Sequence, residues 1–159
     1  MGTKYLFGLL CSAVLTMALT LPGCMTMPDG SSEPDYMLIE FGAVAVFTVI
    51  VNETKVSDKK VLEAYHGLSN LERTLQSMTD SGEPLDLAIV DQMLANAVPV
   101  EYQALTAMGS KLIRQRAKLY LGESMPDVDL GKYELVGKIA QSVVSGAKAA
   151  IEPKAFTIK

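Results

Sequence analysis

The sequence predicts an all-α protein whose folded part is a small bundle of about four helices. From residue 57 to residue 152, apolar residues recur at steps of three and four, the period of a helix with one buried face. Glycine and proline separate these periodic stretches into helix-sized pieces. The later stretches also supply no strand with which an earlier segment could pair, and we therefore predict helices throughout.

The first stretch of the predicted domain, Met37 to Val51, is apolar on every side except at Glu40 and Thr48. Its β-branched residues favour a strand, whereas its length favours a helix, because buried strands usually run for four to eight residues. We interpret it as a buried central helix, with a strand as the alternative. A membrane-inserted segment is a third interpretation, although the stretch is short for a span and carries Glu40 early.

The next helix is predicted to begin after Ser57, which can cap it, with Asp58 in its first turn. Gly82 is the expected C-terminal residue, and Pro84 is expected in the first turn of the following helix. The predicted buried stripe comprises Val61, Tyr65, Leu68, Leu71, Leu75 and Met78.

Two further helices are predicted on either side of Pro99, which breaks or kinks the chain. The first runs from Leu85 to Val98, and the second runs from Val100 to Leu121 with Gly109 in its middle. The predicted stripes are Leu87, Val90, Leu94 and Val98 in the first, and Leu105, Met108, Leu112 and Leu119 in the second.

The last helix is predicted to begin near Asp127 or Asp129 and to end at Pro153. Residues 153–159 are then a tail, either a frayed end or a docked strand. Many small side chains in this helix permit close approach of a neighbour. The predicted stripe comprises Tyr133, Val136, Ala140, Val143, Ala147 and Ile151.

Composition bounds the functions open to this chain. Of the 159 residues, 49% are hydrophobic, which is sufficient for a packed core, and the net charge of −4 disfavours nucleic acid as a partner. Cys11 and Cys24 are the two cysteines, so the predicted domain after them can hold neither a disulfide framework nor a cysteine-based metal site.

The N-terminus has the three-part form of a secretory signal peptide. Lys4 supplies a positive charge, and the uncharged run from Tyr5 to Leu21 is 17 residues long, at the lower limit for a spanning helix. Pro22 and Gly23 would end a helix there. These features favour a cleaved signal peptide, residues 1–23, over a permanent anchor helix.

The four residues Leu21, Pro22, Gly23 and Cys24 resemble the lipobox of bacterial lipoproteins. Leu21 and Gly23 match the family pattern, whereas Pro22 departs from the usual small or hydroxyl residue at the middle position. The resemblance implies cleavage before Cys24, a diacylglyceryl thioether on its sulfur and acylation of its new amino group. Since Met25 rather than aspartate follows, the resemblance further implies an outer-membrane location. The alternative is an ordinary signal peptide or an uncleaved anchor.

These assignments divide the chain into four parts: the signal peptide (1–23), the lipidated cysteine with a flexible linker (24–36), the helical domain (37–152) and the tail (153–159). Two prolines, a glycine and two serines make residues 25–36 typical of a linker. A polar linker directly after a lipidated cysteine would let a domain stand off the membrane. Two or more acyl chains on Cys24 would suffice for stable attachment.

No catalytic residue, metal site or cofactor site is predicted. His66 is the only histidine, with Glu63 and Asn70 at helical spacing from it, and these could form an acid–base pair or part of a metal site. We interpret His66 instead as a solvated residue, because the zinc motif H-E-x-x-H, the nucleophile motif G-x-S-x-G and the phosphate-binding loop are all missing from the sequence.

A set of four cations, Lys111, Arg114, Arg116 and Lys118, lies near the end of the predicted helix 100–121. It could contact anionic lipid head groups or an acidic partner. Alternatively, it balances the helix dipole and pairs with Glu101 or Glu123.

Two functions from different classes remain open. The first is a non-enzymatic envelope lipoprotein, attached to the membrane through its lipid and facing the periplasm, which acts as a structural or protein-interaction module on an envelope protein. The second is a small-ligand carrier or an enzyme with a pocket between the helices, which predicts a cavity lined by convergent polar groups that could include His66.

Overall fold

A computed structural model describes residues 24–26, 32–82, 85, 87–121 and 130–158. Within these ranges the protein is an all-α helical bundle, as predicted. The elements are β1 (Cys24–Thr26), β2 (Ser32–Pro34), α1 (Tyr36–Glu53), α2 (Asp58–Ser81), α3 (Leu87–Ala97), a 3₁₀ helix (Val100–Tyr102), α4 (Gln103–Leu121) and α5 (Leu130–Thr157).

Helix α5 is the centre of the bundle, because α1, α2 and α4 all pack against it. The short helix α3 packs on α2 and α4 at the side of the bundle. The predicted stripe of α5 is confirmed from Val136 to Ile151, and Ile139 and Val144 on its other sides are also fully buried. The small side chains act as expected: at Gly146, an added Cβ would lie 2.6 Å from Ala43 Cβ and 2.7 Å from the Glu40 carbonyl oxygen on α1.

Helix α1 confirms the helical interpretation of Met37 to Val51, and the strand alternative is wrong. Asp35 begins the helix, since its Oδ1 accepts a hydrogen bond of 3.0 Å from the backbone N–H of Leu38. The buried side is formed by Ile39, Ala43, Val46, Phe47 and Val51. The prediction that this helix is central and buried is wrong for its opposite side, where Met37 is 82% exposed and Phe41 is 71% exposed.

By length and composition, α1 is also the one described helix that could cross a membrane. Its mean hydropathy is 1.5 over 18 residues, of which 28% are buried within the protein.

Helix α2 has both predicted ends. It starts after Ser57 as predicted, although the Ser57 side chain makes no capping hydrogen bond. Gly82 closes it in the left-handed conformation at φ +70°, with its N–H directed to the carbonyls of Met78 and Thr79. Val61, Leu68, Leu71 and Leu75 are buried as expected, together with Ala64.

Pro99 separates α3 from α4 as predicted, with the short 3₁₀ helix between them. The stripe predicted for α4 is wrong at Leu119, which is 58% exposed. From Leu112 the buried face continues instead through Arg116 and Ala117, which are 3% and 1% exposed. The helical period of three and four therefore places an arginine on the buried side.

The prediction that Pro153 ends the last helix is wrong, because α5 continues to Thr157. Proline lacks an N–H and so removes a backbone hydrogen bond to the residue four positions earlier, Ala149. Ile151 and Ala155, on either side of Pro153, are 0% and 4% exposed. Their burial in the bundle compensates for that lost bond and keeps the chain helical.

The segment predicted as a linker contains a hairpin that the sequence did not indicate. β1 and β2 pair antiparallel, with Cys24 opposite Pro34, Met25 opposite Glu33 and Thr26 opposite Ser32. The predicted signal peptide, residues 1–23, lies outside the described residues, as do residues 27–31 of the linker.

Candidate functional site

Cys24, the predicted lipid-attachment residue, is the first residue of β1. The register places its Cα opposite that of Pro34, a buried residue at the end of β2. Asp35 follows and caps α1. The hairpin therefore places the backbone of Cys24 beside the N-terminus of α1, whereas the other residues of the predicted lipobox, Leu21, Pro22 and Gly23, lie outside the described part of the chain.

The four cations predicted as an anionic-surface contact do not all lie at the surface of α4. Lys111 and Lys118 are exposed on α4, but Arg116 is 3% exposed and is not available to a surface ligand. Arg114 forms an ion pair with Asp91 on α3. The alternative prediction, that these cations pair with acidic neighbours, is therefore confirmed for Arg114, although its partner is Asp91 rather than Glu101 or Glu123.

His66 is exposed on α2, and its ring contacts that of Tyr65 edge-on, with 5.7 Å between the centroids. Glu63 does not form an acid–base pair with it. The Glu63 carboxylate binds Lys60 instead, at 3.0 Å, and Glu101 lies 3.7 Å from the same ammonium. The hydrogen bond with Glu63 raises the pKa of Lys60. No group of three or more metal-ligating side chains occurs among the residues that the structure describes.

A polar cluster that sequence reasoning missed joins α2 to α5. The Glu72 carboxylate accepts hydrogen bonds from the Ser145 hydroxyl and the Lys148 ammonium. One turn along, the side-chain amide of Gln141 donates to Gln76 Oε1 at 2.7 Å. The sequence pattern that could have predicted this cluster is the i, i+4 spacing of Glu72 and Gln76 on α2, matched by the same spacing of Gln141 and Ser145 on α5.

The chemistry of this cluster is structural rather than nucleophilic. A serine–lysine pair of the catalytic kind requires a neutral lysine that can accept the hydroxyl proton. The hydrogen bond to Glu72 raises the pKa of Lys148, which holds the ammonium protonated, and the Ser145 hydroxyl already donates its hydrogen bond to the same carboxylate. We conclude that Glu72 holds α2 against α5 through both partners.

A surface groove of about 410 Å³ lies where the C-terminus of α1, the start of α2 and the end of α5 meet. Lys154 reaches into this region, and its ammonium donates a hydrogen bond to the carbonyl of Val51. That bond satisfies a terminal carbonyl of α1. His66 does not line the groove, whose walls are formed by Asn52, Thr54, Lys55, Val56, Asp58, Val61, Lys154, Thr157 and Ile158.

In comparisons with protein families, curated protein sequences and solved structures, nothing matches this chain.

Proposed function

We propose that this protein is a bacterial envelope lipoprotein, anchored in the outer membrane through acylated Cys24 and facing the periplasm. Its helical domain acts without catalysis, as a structural or protein-interaction module. The observation that carries the proposal is the lipobox-like run from Leu21 to Cys24, placed at the end of an uncharged stretch of 17 residues, Tyr5 to Leu21.

A general property of lipid anchors and one feature of the structure support a tethered domain. Two or more acyl chains hold a protein stably at a bilayer, so a modified Cys24 needs no spanning helix. The chain after Cys24 forms a short hairpin and then enters the bundle through α1. The anchor would thus be joined to the folded part by a very short connection, which would keep the domain close to the membrane surface.

A non-catalytic role is supported by how the polar side chains are used. The buried or half-buried charges of Glu72, Lys148 and Lys154 bind one another or the backbone. Among the described residues, these polar contacts link helices of the bundle, which suits a domain whose task is to present a stable surface.

The test compares Cys24→Ala with Cys11→Ala in cells fed a clickable palmitate analogue. Cys11 lies inside the predicted signal peptide, so its replacement is the matched control for loss of a thiol. We expect the wild type and Cys11→Ala to carry the label and to fractionate with the outer membrane. Cys24→Ala is expected to lose both the label and that location. A labelled Cys24→Ala protein, or an unlabelled wild type, would contradict the proposal.

A further inference from the structure

Helix α1 presents an apolar face that no other described part of the chain covers. Met37 and Phe41, four residues apart and thus on one side of the helix, are 82% and 71% exposed. Val44 and Ala45 are half-buried on the next turn of the same side, and exposed Thr48 follows. This helix contains neither lysine nor arginine, and exposed Glu40 lies at the edge of the face.

The same end of α1 lies close to the predicted anchor. Residues opposite each other in an antiparallel pair have Cα atoms about 5 Å apart, which places Cys24 next to Pro34. Met37 follows Pro34 by three residues, a distance of at most about 11 Å along the chain. The Cα of Cys24 is thus within about 16 Å of the Cα of Met37. Lipid held by Cys24 would enter the bilayer beside this apolar face.

We propose that the outer face of α1 (Met37, Phe41, Val44 and Ala45) lies on the lipid bilayer, parallel to its surface. This inference rests on the proposed lipid anchor and adds an orientation to it. A helix that lies in the interface places its apolar side about 5–10 Å into the boundary between head groups and acyl chains. Helix α1 is apolar on both sides rather than amphipathic. Here the buried side is covered by the bundle, so the domain lies on its α1 side.

The helix lies on the membrane rather than across it because its other side is fixed to α5. At Gly146, α1 and α5 approach closely, and α1 packs along α5. Helix α5 carries five charged side chains among those described, and hydrocarbon strongly disfavours such charges. Helix α1 could not enter the hydrocarbon as a span without drawing α5 after it or separating from it. These five are Glu134, Lys138, Lys148, Glu152 and Lys154.

A bilayer fits this face better than a second copy of the chain does. The anchor already confines the protein to the membrane, so a modest apolar contact gains from a high effective concentration of lipid. A stable dimer instead requires roughly 1,200–2,000 Å² of buried surface. The face has two strongly exposed large side chains, Met37 and Phe41, and its remaining positions are small, half-buried or polar. Because α1 has no cation, the contact should depend little on salt or on anionic lipid.

The absence of tryptophan from the sequence allows a site-specific test. Phe41→Trp and Phe156→Trp each introduce a single indole at a position that is 71% exposed. Phe156 is the matched control, because it lies near the end of α5 on the side of α2, where its ring contacts Tyr65 at 5.6 Å between centroids. Each variant is purified as cells process it, without further truncation. It is then reconstituted in phosphatidylethanolamine–phosphatidylglycerol vesicles containing a phosphatidylcholine brominated on its acyl chains. The mass of the protein is measured in the same sample.

We expect the Phe41→Trp indole to show blue-shifted emission and to lose fluorescence to the bromine atoms, equally at low and high salt. The Phe156→Trp indole should keep the emission of a water-exposed residue. Acylated protein in which Phe41→Trp is not quenched would overturn the bilayer contact and leave the anchor intact. Quenching in protein that carries no acyl group would support the contact and overturn the anchor.

Two other outcomes would also overturn the bilayer contact. Blue-shifted emission without quenching would mean that another protein surface, such as a second copy, covers the face. Equal quenching of Phe41→Trp and Phe156→Trp would mean adsorption without the proposed orientation.

Discussion

Replacing Gly67 by alanine is expected to destabilise the bundle where α2 meets the end of α3. A Cβ at this position would lie 1.6 Å from the carbonyl oxygen of Ala97 and 2.8 Å from its carbonyl carbon, far inside the ordinary contact distance of 3.4–4 Å. Ala97 ends α3, and the next two residues, Val98 and Pro99, are buried. The obstructing group is therefore held backbone, which cannot rotate away as a side chain could.

The expected magnitude follows from two opposing effects. Overpacking of a filled contact costs about 1–3 kcal/mol, and a backbone clash this short belongs at the upper end. Alanine gains about 1 kcal/mol over glycine inside a helix. The difference is a net loss of about 2 kcal/mol in the free energy of unfolding. For a domain of this size, that loss lowers the melting temperature by roughly 6 °C.

Thermal unfolding followed by circular dichroism measures this shift, with Gly109→Ala as the matched control. Gly109 is also helical, but the nearest obstruction to its Cβ is Leu94 Cδ2 at 2.7 Å, the end of a side chain that can move. We expect Gly109→Ala to be unchanged or more stable by up to about 1 kcal/mol. A Gly67→Ala protein that melts at or above the wild-type temperature would refute the close contact between α2 and α3.

Three further predictions concern the contacts inside the bundle. Gly146→Ala should lower the free energy of unfolding by about 1–2 kcal/mol, and with it the denaturant midpoint, because its Cβ would meet α1 backbone at 2.7 Å. An unchanged midpoint would contradict that packing. Glu72→Gln should cost about 1 kcal/mol near neutral pH. Glu72 raises the pKa of Lys148 in the folded state, so this contribution is present below the free-lysine value of 10.5 and lost as pH rises through the raised pKa; unfolding curves of wild type and variant should converge there, and a constant difference would contradict the ion pair. Tyr102→Phe should be neutral or stabilising by up to about 1 kcal/mol, because the buried hydroxyl has no hydrogen-bond partner among the described residues. Burial raises the pKa of Tyr102 above 10.0, so wild type should lose stability as pH rises above that value, whereas Tyr102→Phe should not show this loss; a destabilised Tyr102→Phe protein would reveal a partner for the hydroxyl.

Helix existence and the ends of α2 were predictable because their causes are local. Ser57 and Gly82 mark the ends of α2 through backbone conformation, and the stripe from Val61 to Leu75 needs only the helical period. Pro99 likewise separates α3 from α4, because its ring disfavours the helical conformation at Val98.

The predictions for Pro153 and Arg116 were wrong because tertiary packing, rather than local sequence, determines the structure at both positions. Pro153 is tolerated inside α5 because Ile151 and Ala155 are buried, which the sequence around the proline does not reveal. Arg116 was grouped with surface cations by its charge, although it lies four residues after buried Leu112. The periodicity alone would have placed Arg116 inward, and residue type misled the interpretation there. Leu119 lies seven residues after Leu112 and so falls on the same stripe by periodicity, which does not reveal that it is 58% exposed.

The candidate site likewise has one part that the sequence predicts and one part that only the fold reveals. The proposed lipobox is a short linear pattern, so its candidate residues could be named from the sequence without a fold. The outer face of α1 could not, because its two sides are similarly apolar and composition does not indicate which one packs on α5. The position of the proposed anchor beside that face could be derived only from the pairing of Cys24 with Pro34, two residues that are ten positions apart in the chain.

Intact-mass measurement of the processed protein tests the central claim most directly. The lipoprotein proposal predicts a chain that begins at Cys24 and whose mass exceeds that of residues 24–159 by a diacylglyceryl group and an amide-linked acyl group. A chain that begins elsewhere, or one that begins at Cys24 without added lipid, would contradict it.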